Sequence, residues 1–472
     1  MPRTDRLLLA NAMLGQFITG FAGRSFTVAI PTIASALQAD IVAISWAIIA
    51  YQLAGISLSV VFGRLGDLHG RYAIYGAGFA IMTVSTCLCG FATSVASLVL
   101  FRVVAGIGAA MIASATRVLA MEAMPERAAG RANGFMTMSF HGGLLLGPPI
   151  GGLVIDVVSW RWIFFLLVPI GVVGIVLTAL RARDRRSATV ASPVAIDYGG
   201  AALLIVLTVV LTLLVDRRSA ELLGLGEKSV MATVFVAALA GFLVCERRAR
   251  SPVVNLALFR IRMFTFSVVS LLIVGTTGSA LMLLLPFYLQ DVLHQSPSFM
   301  GLLFLAAPIF TISLAPVTGW LTDRVGPRLP TSIGVLLTMV TFVVGMLLRF
   351  DSHWTMPALL MALVGIATGF FNTANQTGLI ASVPREYRGF ATGMVQMVFG
   401  LGSLLGTSLG TVLLTVMFRY ASGRPDATPS AADPASFVFA MNAVYAVCLA
   451  LAMVAFVTSV MRGGAKVGAP PA

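Results

Sequence analysis

The chain reads as an all-α polytopic membrane protein made of two related six-helix halves with two extra helices between them, and three observations carry that reading. Its residues are 58% hydrophobic and 10% charged, whereas soluble proteins carry about 25% charge. Fourteen apolar stretches are long enough to cross roughly 30 Å of hydrocarbon as helix. Polar and glycine landmarks from the first part of the chain recur, in the same order, in the last part.

The spans begin near Leu7, Ala43, Ala73, Val95, Gly130, Trp162, Tyr198, Val230, Phe264, Phe299, Leu329, Met356, Gly389 and Ser436. The first follows Arg3 and Arg6 as a signal peptide would, but no small-residue cleavage site comes after it, so an uncleaved anchor is expected. GRLGDLHGRY, Gly63 to Tyr72, separates the second span from the third with a turn that its glycines allow to be tight. PERAAGRANG, Pro125 to Gly134, separates the fourth from the fifth. The charged linker RARDRRSATVASP follows the sixth span and ERRARSP follows the eighth, which sets the seventh and eighth apart as a pair. In the last six spans GWLTDRVGPR, Gly319 to Arg328, and PREYRGFATG, Pro384 to Gly393, take the places of the first two polar runs.

The correspondence is residue by residue. Gly63, Leu65, Asp67 and Gly70 recur as Gly319, Leu321, Asp323 and Gly326, and Arg71 recurs one position late as Arg328. Gly319 stands 256 residues after Gly63, and Pro384 and Gly406 each stand 259 after Pro125 and Gly147. A six-helix half needs on the order of 200 residues, so the offset leaves room for two more helices. The expected division is 1–182, a six-helix bundle; 183–258, a two-helix insertion with charged linkers; and 259–472, a second six-helix bundle.

Charge sets the orientation and excludes other classes. With the N-terminus inside, inner loops and tails hold 21 of the 31 Lys and Arg and outer loops hold seven, which predicts a cell (inner) membrane protein with both termini cytoplasmic. The net charge of +13 could suggest nucleic acid, but no basic-aromatic patch accompanies it, and no nucleic-acid partner is expected. Cys87, Cys89, Cys245 and Cys448 lie in or beside apolar spans without metal-site spacing, so neither metal nor cofactor is expected. His69, His141, His294 and His353 are scattered, and nothing clusters as a catalytic nucleophile, base and metal set, so the chain reads as no enzyme. The tails are too short for the soluble output domain of a sensor, and a monomer is expected.

The motifs together resemble the major facilitator superfamily, and within it the fourteen-span drug:proton antiporter family. GRLGDLHGRY resembles the family's loop between helices two and three. FRVVAGIGAA, Phe101 to Ala110, is similar to its fourth-helix motif, carried by Arg102, Gly106, Gly108 and Ala110. GLLLGPPIGG, Gly143 to Gly152, is similar to its fifth-helix antiporter motif, carried by Gly143, Gly147, Pro148, Gly151 and Gly152. WRWIFFLLVPIG and SPVVNLALFRIRMF extend the likeness over essentially the whole chain. The resemblance implies the major facilitator fold, alternating access, an exporting direction and a role for Arg102 in proton coupling. Where the fourteen-span family carries L-D-x-T, this chain has FAGR, with Ala22 at the aspartate position.

On that footing Gly63, Asp67, Gly70, Arg71 and Asp323 are expected to form a cytoplasmic gate, with a solvated turn as the alternative. Glycines at every fourth residue in Gly143, Gly147 and Gly151 form a groove for close helix contact, and Pro148 weakens the helix there. Intramembrane charge is costly and therefore points to function. Arg24 and Arg117 are expected to face substrate, or else to snorkel toward headgroups; for Arg102 the alternative to proton coupling is a structural anchor between helices. His141 could carry the proton that the missing aspartate would have carried, since imidazole titrates near neutral pH, or be a satisfied interior histidine. Glu122, the acid nearest to Arg117, could pair with it or carry a proton. Asn372, Asn375 and Gln376 are expected either to line the cavity or to bridge helices. The expected function is export of small amphipathic compounds across the bilayer in exchange for protons; a dedicated exporter or flippase of an anionic or zwitterionic amphiphile is the second reading.

Overall fold

The structure, a computed structural model, describes residues 5–39, 41–185, 197–215, 225–248, 252–424 and 433–463. Most of the two charged linkers, together with Arg3 and Lys466, lies outside the described residues. Among the described residues there are helices and turns but no strand, as expected where every backbone amide must be satisfied without water.

The first half comprises α1 (Arg6–Ala36), α2 (Ile41–His69), α3 (Arg71–Gly90), α4 (Val95–Glu122), α5 (Ala129–Val157) and a sixth element broken into α6 (Trp162–Phe165) and α7 (Leu167–Arg185). After them come α8 (Tyr198–Val215) and α9 (Leu225–Arg248). The second half comprises α10 (Arg262–Phe287), α11 (Pro297–Val325), α12 (Arg328–Met346), α13 (Thr355–Ala381), α14 (Arg388–Ser422) and α15 (Pro434–Met461).

The packing repeats as the sequence does. In the first half α1 lies on α5, α2 on α4, and α3 on α4 and α7; in the second, α10 lies on α14, α11 on α13, and α12 on α13 and α15. Between the halves α2 meets α14 and α5 meets α11, so the two seams are also equivalent. Helices α8 and α9 pack on each other, with α8 against α2 and α14.

Among the described residues twelve helices are long and apolar enough to cross a membrane. The remaining two of the fourteen expected spans are not among them. Helix α1 is long enough, but Asn11, Gln16 and Arg24 dilute its apolar content, and Gly199–Leu214 is apolar but shorter.

One turn shows how tightly the polar runs are folded. Helix α2 ends at His69 and α3 begins at Arg71, with Gly70 alone between them at φ 102°; its counterpart Gly326 has φ 82°. A side chain at either position would meet the left-handed backbone penalty, which explains why glycine recurs there.

Candidate functional site

The seam between the halves is built on two helices that lack caps of their own. Helices α5 and α14 follow Ala128 and Tyr387, and neither residue supplies a side-chain cap. The caps come from the opposite half. Asp67 accepts from the Gly389 amide at 2.9 Å and, through its other oxygen, from the Phe390 amide at 2.9 Å. Asp323 accepts from the Gly130 and Arg131 amides at 2.6 and 3.1 Å. Each carboxylate thus sits at the positive end of a helix in the other bundle and satisfies amides that the helix itself cannot.

Arg71 extends the first cap. Its guanidinium lies 2.7 Å from Asp67 and 2.7 Å from Glu122, and it donates to the Arg385 carbonyl at 2.6 Å. Glu122 is therefore the partner of Arg71 on α3, and the expected pairing with Arg117 is corrected: α3 brings a guanidinium to the end of α4, where sequence proximity suggested only Arg117. Arg131 lies 3.2 Å from Asp323, Glu126 pairs with Arg385 across the halves, and the Arg64 guanidinium stacks 4.6 Å over Tyr387.

Glycines let the backbones touch along both seams. A Cβ on Gly63 would strike the Gly389 carbonyl and one on Gly389 would strike the Gly63 carbonyl; Gly130 and Gly319 stand in the same relation. Ser59 donates to the Gly393 carbonyl at 3.0 Å. The seam along α2 runs from Asp67 out to Ile56, about 17 Å of helix rise, and at Gly55 a Cβ would meet open space. In the same inner region every residue from Gly108 to Met121 of α4 and from Phe371 to Ile380 of α13 is buried. The end at which α1 begins and α15 finishes is closely packed, while on α1 the exposed residues Arg24, Thr27 and Thr32 mark where the packing loosens toward the other end.

The antiporter-type glycines on α5 do form a groove, and α1 fills it. A Cβ on Gly143 would meet the backbone of Phe17 and Phe21, while Gly147 and Gly151 lie against Ser25. Gly406 repeats this on α14, where a Cβ would strike the Thr276 carbonyl of α10. Pro148 lies inside α5, and the groove places Gly147 beside Arg24, whose Cβ would lie 3.3 Å from a Cβ on that glycine.

The intramembrane cations occupy three depths. Arg102 is 4% exposed and held between the rings of Phe26 and Tyr51, at 4.5 and 4.2 Å, with a bond to the Ala47 carbonyl at 3.3 Å. It ties α1, α2 and α4 together. Arg117 is 5% exposed, and its Nε and Nη1 have no hydrogen-bond partner. His141, half-buried on α5, lies with Nδ1 2.9 Å from the Thr137 carbonyl. A carbonyl only accepts, so Nδ1 holds the proton and Nε2 is the basic nitrogen.

Of the three amides, Asn375 belongs to the interior of the second bundle. It donates to the Ser267 carbonyl at 3.1 Å and accepts from Arg462 at 2.9 Å, which is the bridging role and not the cavity-lining one. Asn372 and Gln376 are 9% and 6% exposed on the same closely packed stretch of α13. Arg462 was counted in the sequence only as a tail charge. It is 1% exposed and donates to Thr331 at 3.3 Å and to Ser270 at 3.4 Å as well, with no carboxylate paired to it among the described residues. No local signal marks it, because it is buried by the way α15 ends against α10, α12 and α13. A buried cation among neutral acceptors is weak evidence for stability. Arg462→Met, which leaves the buried Asn375 oxygen without a donor, and Asn375→Leu, which leaves the cation without its shortest bond, should each destabilise by about 1–3 kcal/mol, whereas the double change, which removes both partners, should be close to neutral; thermal unfolding in detergent distinguishes them.

Two bundles of apolar helices related by an internal repeat and joined by reciprocal helix caps are the architecture of a membrane transporter built from two halves. The chain belongs to the Major Facilitator Superfamily, whose model matches residues 12–273 and 267–470. It is 29% identical over 416 residues to the uncharacterized transporter YebQ of Escherichia coli, covering 87% of this chain and 88% of that one. It is 28% identical over 445 residues to the multidrug resistance protein Stp of Mycobacterium tuberculosis, covering 92% and 80%. With the multidrug export protein EmrB of Haemophilus influenzae it shares 28% over 408 residues, covering 85% and 79%. The solved structure of the human organic anion transporter MFSD10 covers 97% of this chain and 100% of its own at a TM-score of 0.64 and 12% identity, a likeness of fold alone. The protein is a multi-pass membrane transporter and not an enzyme.

Proposed function

We propose that the protein exports small amphipathic compounds by alternating access, with the described conformation sealed on the cytoplasmic side. The observation that carries this reading is the pair of caps supplied across the halves. Each cap exists only while that end is closed, so making and breaking them is a two-state element of the kind that alternating access requires. The multidrug efflux relatives support the cargo class. Proton antiport is the coupling we assign, through His141 Nε2, with Arg102 in the coupling role that the family motif implies; Glu122 is held against Arg71.

The same reading places the protein in the inner membrane as a monomer with fourteen spans, divided at 1–182, 183–258 and 259–472, and with both termini inside. A cytoplasm-specific reporter fused after Arg250 should then be active and one fused after Glu221 silent; activity after Glu221 would overturn the two-helix insertion. Transport itself is tested in proteoliposomes loaded with charged dyes or lysolipids under an imposed pH gradient. Dye movement that follows the gradient and disappears in a protein-free control is the expected result. Movement indifferent to pH would remove the proton from the mechanism.

A further inference from the structure

We propose that the cargo is an amphiphile with a negatively charged head, taken up on Arg117 and released past Arg24, and that the membrane potential alone suffices to drive it outward. This rests on the exporter reading and deepens it.

The argument starts from where charge lies along the helices. Asp67, Glu122, Asp156, Glu227, Glu246 and Asp323 each fall within two residues of the end of their helix. Arg24 lies 12 residues from Ala36, Arg102 seven from Val95 and Arg117 five from Glu122. Among the described residues the middle of the bundle therefore holds fixed positive charge and no fixed negative charge. A cation entering it would lose its hydration without gaining a counter-charge, whereas a sulfonate, carboxylate or phosphate head can form paired bonds with a guanidinium.

Two of the three arginines are available for that. Arg102 is enclosed by Phe26 and Tyr51. Arg117 is 5% exposed, keeps two nitrogens without a partner, and lies on a helix that packs across the halves on α14. Arg24 is exposed where α1 leaves the sealed region. Neither Arg24 nor Arg117 has an ion pair among the described residues. With 1.5 Å of rise per residue, Arg117 sits about 8 Å and Arg24 about 27 Å from the sealed ends of their helices. The two guanidiniums form successive stations, the inner one orphaned once the gate has closed over it and the outer one already in the open part.

Direction follows from charge. With the interior negative by 100 mV, outward movement of one negative charge is favoured by about 50-fold, and a proton entering in exchange moves a second charge in the favoured direction. The experiment uses the full-length protein in proteoliposomes with a potassium diffusion potential, negative on the side of the termini, and equal pH on both sides. Taurocholate and lysophosphatidate serve as anionic amphiphiles, ethidium and rhodamine 6G as cationic ones. The anions should leave at least about tenfold faster than at zero potential. Arg24→Gln should raise their half-saturating concentration about tenfold or more, the scale of one charge-assisted contact, while Arg24→Lys should keep most of the affinity; Arg24 is exposed, so both variants should fold. If the cations are the better cargo and Arg24→Gln leaves them unchanged, the inference is overturned and the exporter reading stands. If neither class moves under the potential or under a pH gradient, both fall.

Discussion

Gly63→Ala should abolish transport while the protein remains folded and in the membrane. The methyl group would have to occupy the space of the Gly389 carbonyl, and the reciprocal contact from Gly389 onto the Gly63 carbonyl means both partners are backbone. Neither can turn aside as a side-chain end would. Overpacking usually costs about 1–3 kcal/mol where side chains can yield. Here the halves must instead stand apart, so closure should be disfavoured by at least about 3 kcal/mol, or some 150-fold in population. The clash exists only with the gate shut, and the open-inward state should accumulate without loss of fold. Two observations separate this from simple misfolding. A cysteine at Ser59, which is 0% exposed and bonded across the seam to Gly393, should become reactive toward a maleimide from the inner side. Gly55→Ala, one to two turns further out, where a Cβ meets open space, should transport normally. Normal transport by Gly63→Ala would mean the seam does not close this tightly in the working cycle.

The sequence exposed the repeat because landmarks that must turn or cap cannot be replaced by interchangeable apolar residues, and Asp67 and Asp323 were legible as a pair for that reason. What they bind was only half visible. The signal was present at Ala128 and Tyr387, which stand where a helix would normally place Ser, Thr, Asp or Asn, but a missing cap does not say which distant residue supplies it. For Glu122 only distance along α4 could be judged, which made Arg117 one candidate partner beside a proton-carrying role; the guanidinium that reaches it comes from α3. Asn372, Asn375 and Gln376 lie on neighbouring faces of one helix, so periodicity alone could not tell cavity from interior, and burial decided for Asn375. Helix α1 shows the reverse: Asn11, Gln16 and Arg24 depress its apolar content, yet Asn11 spends its polarity inside the bundle, donating to Thr178 at 2.8 Å.

Neutralising the two gate aspartates should have unequal effects, with Asp67→Asn the more severe. The Asp67 side chain is 0% exposed and uses one oxygen for each of two amides at the start of α14. An asparagine of the same size has one acceptor oxygen and turns an NH2 group toward the second amide, leaving a buried donor unpaired at a cost of about 1–3 kcal/mol. It also removes the charge that faces the positive end of α14 and that holds Arg71, itself only 19% exposed. Together these should weaken the closed gate by about 2–4 kcal/mol, enough to lower transport by roughly 30-fold to several hundred-fold. Asp323→Asn loses the same kind of amide pairing at α5, but its Arg131 partner is 47% exposed, so solvent already takes up much of that ion pair's value. The expected loss there is about 1–2 kcal/mol, or some five- to thirtyfold. Both variants should reach the membrane at normal levels, and both should raise the reactivity of a cysteine at Ser59 in the same order as their transport defects. Equal defects in the two would mean that Arg71 adds nothing to the first cap. Loss of Asp67→Asn from the membrane would show that the carboxylate holds the first bundle together and not the gate.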